Sequence, residues 1–229
     1  EPTRILVPVS DVDSSRDSFV FTATSSDALI IPGDSPALSF TVIDGETFVE
    51  LHPAPDAFGQ VTITVRVNDG SATTSKAFVV NVLAVNDPPV AAADGKVAIE
   101  DTALTIPVAE LTPNDSAGPQ NESGQTLTVT GVSAASEHGG TVSLSGGIVT
   151  YTPAANFSGS DSFTYGVTDN GLTAGVLDAR SATGTVAISV TPVNDPPVLA
   201  DIPAQEIRED AEPTRILVPV SDVDSSRDS

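Results

Sequence analysis

Along "VTITVRV" (Val61–Val67), Val61, Ile63, Val65 and Val67 alternate with Thr62, Thr64 and Arg66. A period of two sends the first set to one face of an extended chain and the second to the other, which predicts a strand with its aliphatic face inward. The segments "TSKAFVVNVLA" (Thr74–Ala84) and "TGTVAISVTP" (Thr183–Pro192) carry the same alternation, rich in β-branched residues. "FGQVTITVRVNDG" (Phe58–Gly70) parallels "FSGSDSFTYGVTDNG" (Phe157–Gly171): a turn, an alternating strand, then an Asp and Gly hairpin signal. Nothing sustains a helical period beyond a turn. Short strands punctuated every eight to twelve residues or so predict an all-β chain of two tandem antiparallel β-sandwiches, about seven strands each.

Repetition sets the boundaries. The hexapeptide "VNDPPV" occurs at Val85–Val90 and again at Val193–Val198, and each copy follows a last-strand pattern. Its paired prolines end a ladder and stiffen the exit. "IED" (Ile99–Asp101) and "RED" (Arg208–Asp210) each precede an apolar run with a central proline, "TALTIPVAEL" (Thr102–Leu111) and "TRILVPVSDV" (Thr214–Val223). Residues 212–229 copy residues 1–18 letter for letter, an offset of 211 that marks the period of a longer tandem array. The expected division is a first sandwich over 1–85 without its opening strand, a linker at 86–90, a complete second sandwich over 91–193, a linker at 194–198, and the opening strands of the next copy over 199–229. By analogy with residues 90–101, the missing first strand is "VLADIPAQEIRED" (Val198–Asp210). An edge of the first sandwich is then expected to lie open, and the C-terminal overhang of one molecule to complete the N-terminal domain of the next, head to tail.

The chain carries 31 acidic residues, 21 of them Asp, against 9 basic ones, a formal net charge of −22. Nucleic acid and anionic membrane surfaces would repel it. It has no cysteine, so neither disulfides nor thiolate metal sites hold the fold. No window reads as a signal peptide or as an apolar span of membrane length.

The placement of the acids is more informative than their number. They recur at the end of a first strand (Glu100 and Asp101; Glu209 and Asp210) and in an early loop (Asp11 and Asp13, copied at Asp222 and Asp224; Asn114 and Asp115). They recur again in a late hairpin (Asp69; Asp169) and at the junctions (Asn86 and Asp87; Asn194 and Asp195). Strand parity sends first-strand ends to one pole of a sandwich, and early loops and late hairpins to the other. Stacked domains would therefore gather these groups around each linker. Carboxylates about 5 Å apart repel by roughly 1 kcal/mol per pair even in a water-like dielectric, so such a cluster calls for a cation. Oxygen ligands from Asp, Glu, Asn and backbone carbonyls suit Ca²⁺ better than Mg²⁺, and the scarcity of His (only His52 and His138) argues against zinc or copper. Taken singly, each pair could be an Asx turn.

"VNDPPV", the strand-end "ED", "DVDSS" and the "VNDG" hairpin resemble the bacterial cadherin-like domains that build the tandem extender arrays of giant RTX-type adhesins. The resemblance covers essentially the whole chain. It implies Ig/cadherin-like sandwiches, Ca²⁺ at interdomain linkers, display on a Gram-negative cell surface and type I export. Carried over by position, Glu100 resembles the first-strand glutamate, Asn194 and Asp195 the linker, and Asp222 with Asp224 the Asp-x-Asp loop. At the other junction Asn86 and Asp87 resemble the linker, and Asn114, Asp115 and Asp169 the loops of the following domain. The chain departs from the family at Ala84 and Pro192, where the cadherin linker has an additional aspartate, and it lacks the Gly- and Asp-rich nonapeptides of the RTX export region.

Catalysis is not expected: His52 precedes Pro53 and His138 lies in "SEHGG", both turns, with no nucleophile motif beside either. The sequence reading is thus a structural spacer, rigidified by calcium, that projects a distal binding domain. The rival is a ligand-binding adhesive pair recognising glycan or a surface protein. Verbatim repetition and an aromatic content of 4% favour the spacer.

Overall fold

In the computed structural model, residues 3–12, 18–34, 36–209, 212 and 215–224 are described. Their regular secondary structure is almost wholly β-strand. In chain order these are β1 (Thr3–Leu6), β2 (Val20–Ser25), β3 (Leu38–Ile43), β4 (Glu46–Leu51), β5 (Gly59–Asn68), β6 (Thr73–Val82), β7 (Asp94–Ile99) and β8 (Leu104–Pro107). There follow β9 (Thr128–Val132), β10 (Thr141–Ser145), β11 (Ile148–Thr152), β12 (Gly159–Thr168), β13 (Leu172–Thr173), β14 (Val176–Leu177), β15 (Ser181–Thr191), β16 (Val198–Leu199) and β17 (Val220–Ser221). Single 3-10 turns at Val108–Glu110 and Gln120–Glu122 are the helical elements with described bounds. The chain divides into two compact units: Glu1–Val90 with Ser116–Thr128 and Thr168–Ala182, and Ala91–Asp115 with Val129–Val167 and Thr183–Ser229.

In the first unit, sheets β1-β4-β3 and β2-β5-β6 enclose one core. Val49 and Leu51 of β4 and Leu38 of β3 pack with Val61, Ile63 and Val65 of β5 and with Ile31. The alternation of β5 is realised as read: Val61, Ile63 and Val65 are buried and Arg66 is exposed. Asp44 and Gly45 join β3 to β4 with φ of 50° and 78°, the doubly left-handed turn that a two-residue hairpin needs and that Asp-Gly tolerates. The small ladder of β13 with β14 belongs to this unit as well.

In the second unit, sheets β10-β11-β8 and β7-β15-β12-β9 form a seven-stranded sandwich. β7 lies parallel to β15, pairing Asp94 with Val186 through to Ile99 with Thr191, while β11 runs antiparallel to both β10 and β8. Val186, Ile188 and Val190 of β15 are buried against Phe163, Tyr165 and Val167 of β12 and the ring of Tyr151. Gly184 passes over Tyr165 so closely that a Cβ would stand 2.4 Å from the ring. Gly184→Ala is therefore expected to cost about 1–3 kcal/mol by overpacking, read as a lower urea midpoint at unchanged m-value.

Asp161 also faces this core, in phase with Phe163, Tyr165 and Val167. Its Oδ2 accepts the hydroxyls of Ser136 (2.6 Å) and Tyr151 (2.7 Å), and its Oδ1 the backbone N–H groups of His138 (3.0 Å) and Ser162 (2.7 Å). Burial pushes the carboxyl up, but these four donors outweigh it and hold Asp161 below its ordinary 3.8. Burial and the adjoining carboxylate push the Tyr151 hydroxyl well above its usual range.

Comparison of the two sandwiches locates what the first lacks. The described β6 has β5 on one side and no strand on the other, whereas its counterpart β15 is flanked by β12 and β7. The strand expected over Val198–Asp210 forms only at Val198–Leu199, which pairs with Val220–Ser221. Residues 200–209 are irregular and exposed, because no sheet edge runs beside them to complete a ladder, and Asp210 lies outside the described residues.

Candidate metal centres

The first junction centres on Asn86, which is buried within the first unit. Its Nδ2 donates to Asp169 Oδ1 and to the carbonyl of Asp178, both at 3.0 Å, and its Oδ1 accepts from Gln125 at 2.7 Å. Its backbone N–H donates to the Thr173 hydroxyl at 2.9 Å, while that of Asp87 donates to Glu122 Oε1, also at 2.9 Å. Asp169 Oδ1 accepts the N–H groups of Gly171 and Arg180 at 3.0 Å. Only a glycine fits at 171, since a Cβ would fall 1.6 Å from Asn86 Oδ1. The Thr173 hydroxyl and Arg180 hold the Asp178 carboxyl below its ordinary value.

One oxygen of each buried acid is left over. Asp169 Oδ2 and Glu122 Oε2 are buried without a hydrogen-bond partner, although both residues are at least 95% buried. An unpaired buried carboxylate oxygen is costly unless a donor or a cation meets it. Of the residues expected at this junction, Asn86, Asp87 and Asp169 are here and Asn114 and Asp115 are not; Glu122 is an addition that the sequence does not suggest.

The second junction gathers the predicted set more completely. Asp195 is pushed above its ordinary value, first by burial and then by the charges of Asp224, Asp101, Glu100 and Asp222. Its backbone N–H donates to the Asp224 carboxylate, Glu100 accepts the N–H of Val193, and Asp222 Oδ1 accepts the N–H of Asp224 at 3.0 Å. Asp101, in the turn after β7 and in the left-handed region at φ 56°, accepts the N–H of Asn156 at 3.0 Å. Asp195 Oδ2 is buried without a partner. The strand end, the junction and the copied early loop thus meet at one aspartate, all within the second unit. Among the described residues, no three acidic or imidazole side chains already stand close enough together to hold one ion.

The remaining candidates are engaged otherwise. Asp115 accepts the N–H of Ala92 at 2.8 Å and the Tyr165 hydroxyl at 3.1 Å, and Asn114 donates to the carbonyl of Ala93. Burial raises the neighbouring Asp94 carboxyl, with Asp115 adding to the rise. This pair lies in the second unit, whereas Asn86, Asp87 and Asp169 lie in the first. Asp69 caps its own hairpin, its Oδ1 accepting the N–H groups of Ser71 and Ala72, and these bonds hold its carboxyl below the usual value. Asp11 and Asp69 both line a cleft of about 500 Å³ in the first unit. Asn194 folds back on the carbonyl of Asp195, and Glu209 is exposed. Asp13 and Asp210 lie outside the described residues.

The fold and these sites define a class: paired all-β sandwiches with acidic groups clustered beside the Val-Asn-Asp-Pro-Pro junctions. Residues 86–191 match the family model described as Bacterial Ig domain. No curated protein matches the chain by sequence. Among solved structures, the chain is similar to human protocadherin-24 EC1-2 at 15% identity over 84% of this chain and 88% of that one, with a TM-score of 0.40. It is similar to protocadherin gamma B2 cadherin domains 1–5 at 15% identity over 98% and 43% of the two chains, TM-score 0.42. A third similarity, 19% identical with a TM-score of 0.26, is to the endo-fucoidan hydrolase MfFcnA4 of glycoside hydrolase family 107; it covers 78% of this chain but only 24% of that enzyme. Among the described residues no helix is long and apolar enough to cross a membrane.

Proposed function

We propose that this chain is an extender repeat of a bacterial surface adhesin, whose junctions bind Ca²⁺ and so stiffen an acidic string into a spacer for a distal binding domain. The observation that carries this reading is Asp195: its inner oxygen is buried without a partner, and burial first, then the carboxylates of Asp224, Asp101, Glu100 and Asp222, push its carboxyl up. A hard divalent cation removes the repulsion and supplies the missing contact together. Glu100, Asp101, Asp195, Asp222 and Asp224 would hold it at the second junction. Asn86, Asp87, Glu122 and Asp169 would supply the oxygens at the first. Millimolar external Ca²⁺ fills weak sites that stay empty in a cytosol, so the same chemistry keeps the chain pliant before export and firm after it. Cell-surface display and type I secretion follow from the resemblance of its motifs.

The test is calcium titration calorimetry on the whole chain and on Asp195→Ala. The substitution is expected to abolish binding at the second junction. In EDTA the variant should be as stable as the parent or slightly more so, because a repulsive charge has gone. A variant that binds calcium as the parent does, or one that loses cooperative unfolding in EDTA, would overturn the assignment of Asp195.

A further inference from the structure

Around Asn86 the hydrogen bonds decide which way a neighbouring amide points. Asn86 Nδ2 faces two acceptors, Asp169 Oδ1 and the carbonyl of Asp178, so its Oδ1 must face a donor, and Gln125 Nε2 stands there at 2.7 Å. The Gln125 Oε1 is thereby turned away from Asn86, and it is buried without a hydrogen-bond partner. Asp169 Oδ2 and Glu122 Oε2 are in the same condition, on residues at least 95% buried. Three unanswered oxygens thus belong to one hydrogen-bonded frame within the first unit.

That frame is made by the chain alone. The Gln125 backbone N–H donates to the Glu122 carbonyl at 2.9 Å, which fixes the spacing of these two side chains on their turn, and Glu122 Oε1 is held by the Asp87 N–H. The place beside Glu122 Oε2 is clear because residue 118 is glycine: at φ 149° a Cβ there would stand 2.0 Å from that oxygen.

We propose that Gln125 is a ligand of the first-junction cation, beside Glu122 and Asp169, and that this site is a preformed socket, so that the chain takes up calcium in two separable steps. The inference rests on the calcium reading above and adds to it a ligand and a difference in kind between the two sites. At the first, a neutral amide oxygen and two carboxylate oxygens, all buried, meet the ion where they already stand. Calcium accepts amide carbonyls among its ligands, and its affinity is tuned by ligand charge and by the rigidity of the site. At the second, Asp195 feels the charges of Asp224, Asp101, Glu100 and Asp222, and Asp101 and Asp224 are exposed. Salt screens exposed charges strongly and buried ones much less, so the two steps part in their salt dependence.

The test is calcium titration calorimetry of the full chain in low and high sodium chloride, each step being isolated by disabling the other site. In Asp195→Ala, which keeps the first site, the affinity should change by less than ~3-fold between about 0.05 and about 0.5 M salt; in Glu122→Gln, which keeps the second, it should fall by ~10-fold or more. Gln125→Ala should weaken the first step by ~10-fold and leave the second as it was. Its urea midpoint in EDTA reads the lost contact with Asn86 separately. In the parent chain, the ¹³C resonance of the Gln125 side-chain carbonyl should move with the first step, which an amide serving only as a support would not do. A first step indifferent to Gln125→Ala, a stationary Gln125 carbonyl resonance, or equal salt dependence in the two steps would each overturn the inference while calcium binding stood. A parent chain that takes up no calcium would overturn the calcium reading itself, and this inference with it.

Discussion

Asp161→Ala is expected to lower the unfolding free energy of the second sandwich by about 3–5 kcal/mol, the largest effect of any single polar substitution in the chain. The carboxylate accepts four hydrogen bonds, and its removal strands the Ser136 and Tyr151 hydroxyls and two backbone N–H groups in a dry core. Tyrosine fluorescence reads this unit alone, since the chain has two tyrosines, Tyr151 and Tyr165, both buried there, and no tryptophan. The sign of the pH dependence follows from the shift. The folded Asp161 sits below its ordinary 3.8, so its contribution is fully present above that value and is lost as the pH falls through the lowered one. The acid limb of the urea midpoint should therefore flatten in Asp161→Asn. An unchanged limb would mean that the four donors do not favour the charged form.

Calcium is expected to raise the melting temperature of the second sandwich by on the order of 10 °C over EDTA. A ligand at a hundred times its dissociation constant stabilises the folded form by about 2.7 kcal/mol, and each kilocalorie moves a domain of ~100 residues by about 4–8 °C. Magnesium at the same concentration should do less, because it resists the irregular, carboxylate-rich shell that Asp195 and its neighbours offer. Sodium chloride should recover only the part due to repulsion between exposed charges. Identical melting and identical small-angle scattering in calcium and EDTA would remove the basis for a calcium-stiffened spacer.

The strands were legible because side-chain alternation is a local property. β5, β6, β12 and β15 fall where the period of two placed them, and the Asp-Gly and Asn-Asp-Gly turns mark hairpins that the structure contains. The acids around Asp195 stand where repetition is visible in the sequence: Asp222 and Asp224 are the copied early loop, and Glu100 and Asp101 follow β7. Glu122 was not legible, since it sits in a 3-10 turn between strands, where side-chain alternation carries no signal. Asp161 did leave one that went unread: it stands in the inward phase of β12 with Phe163, Tyr165 and Val167, where a carboxylate can only be a hydrogen-bonded anchor. The strand over residues 200–209 was read from sequence but is absent because a ladder needs a neighbour, and a neighbour is not a property of the segment itself.

The parallel pairing of β7 with β15 bears on how such a module meets tension. The first strand of the sandwich enters and the last strand leaves along the same direction, side by side, with six register pairs between them. A pull on the two ends of the chain drags these strands past each other along their length. All six pairs then resist together in shear, whereas a hairpin pulled from its open end gives way one rung at a time.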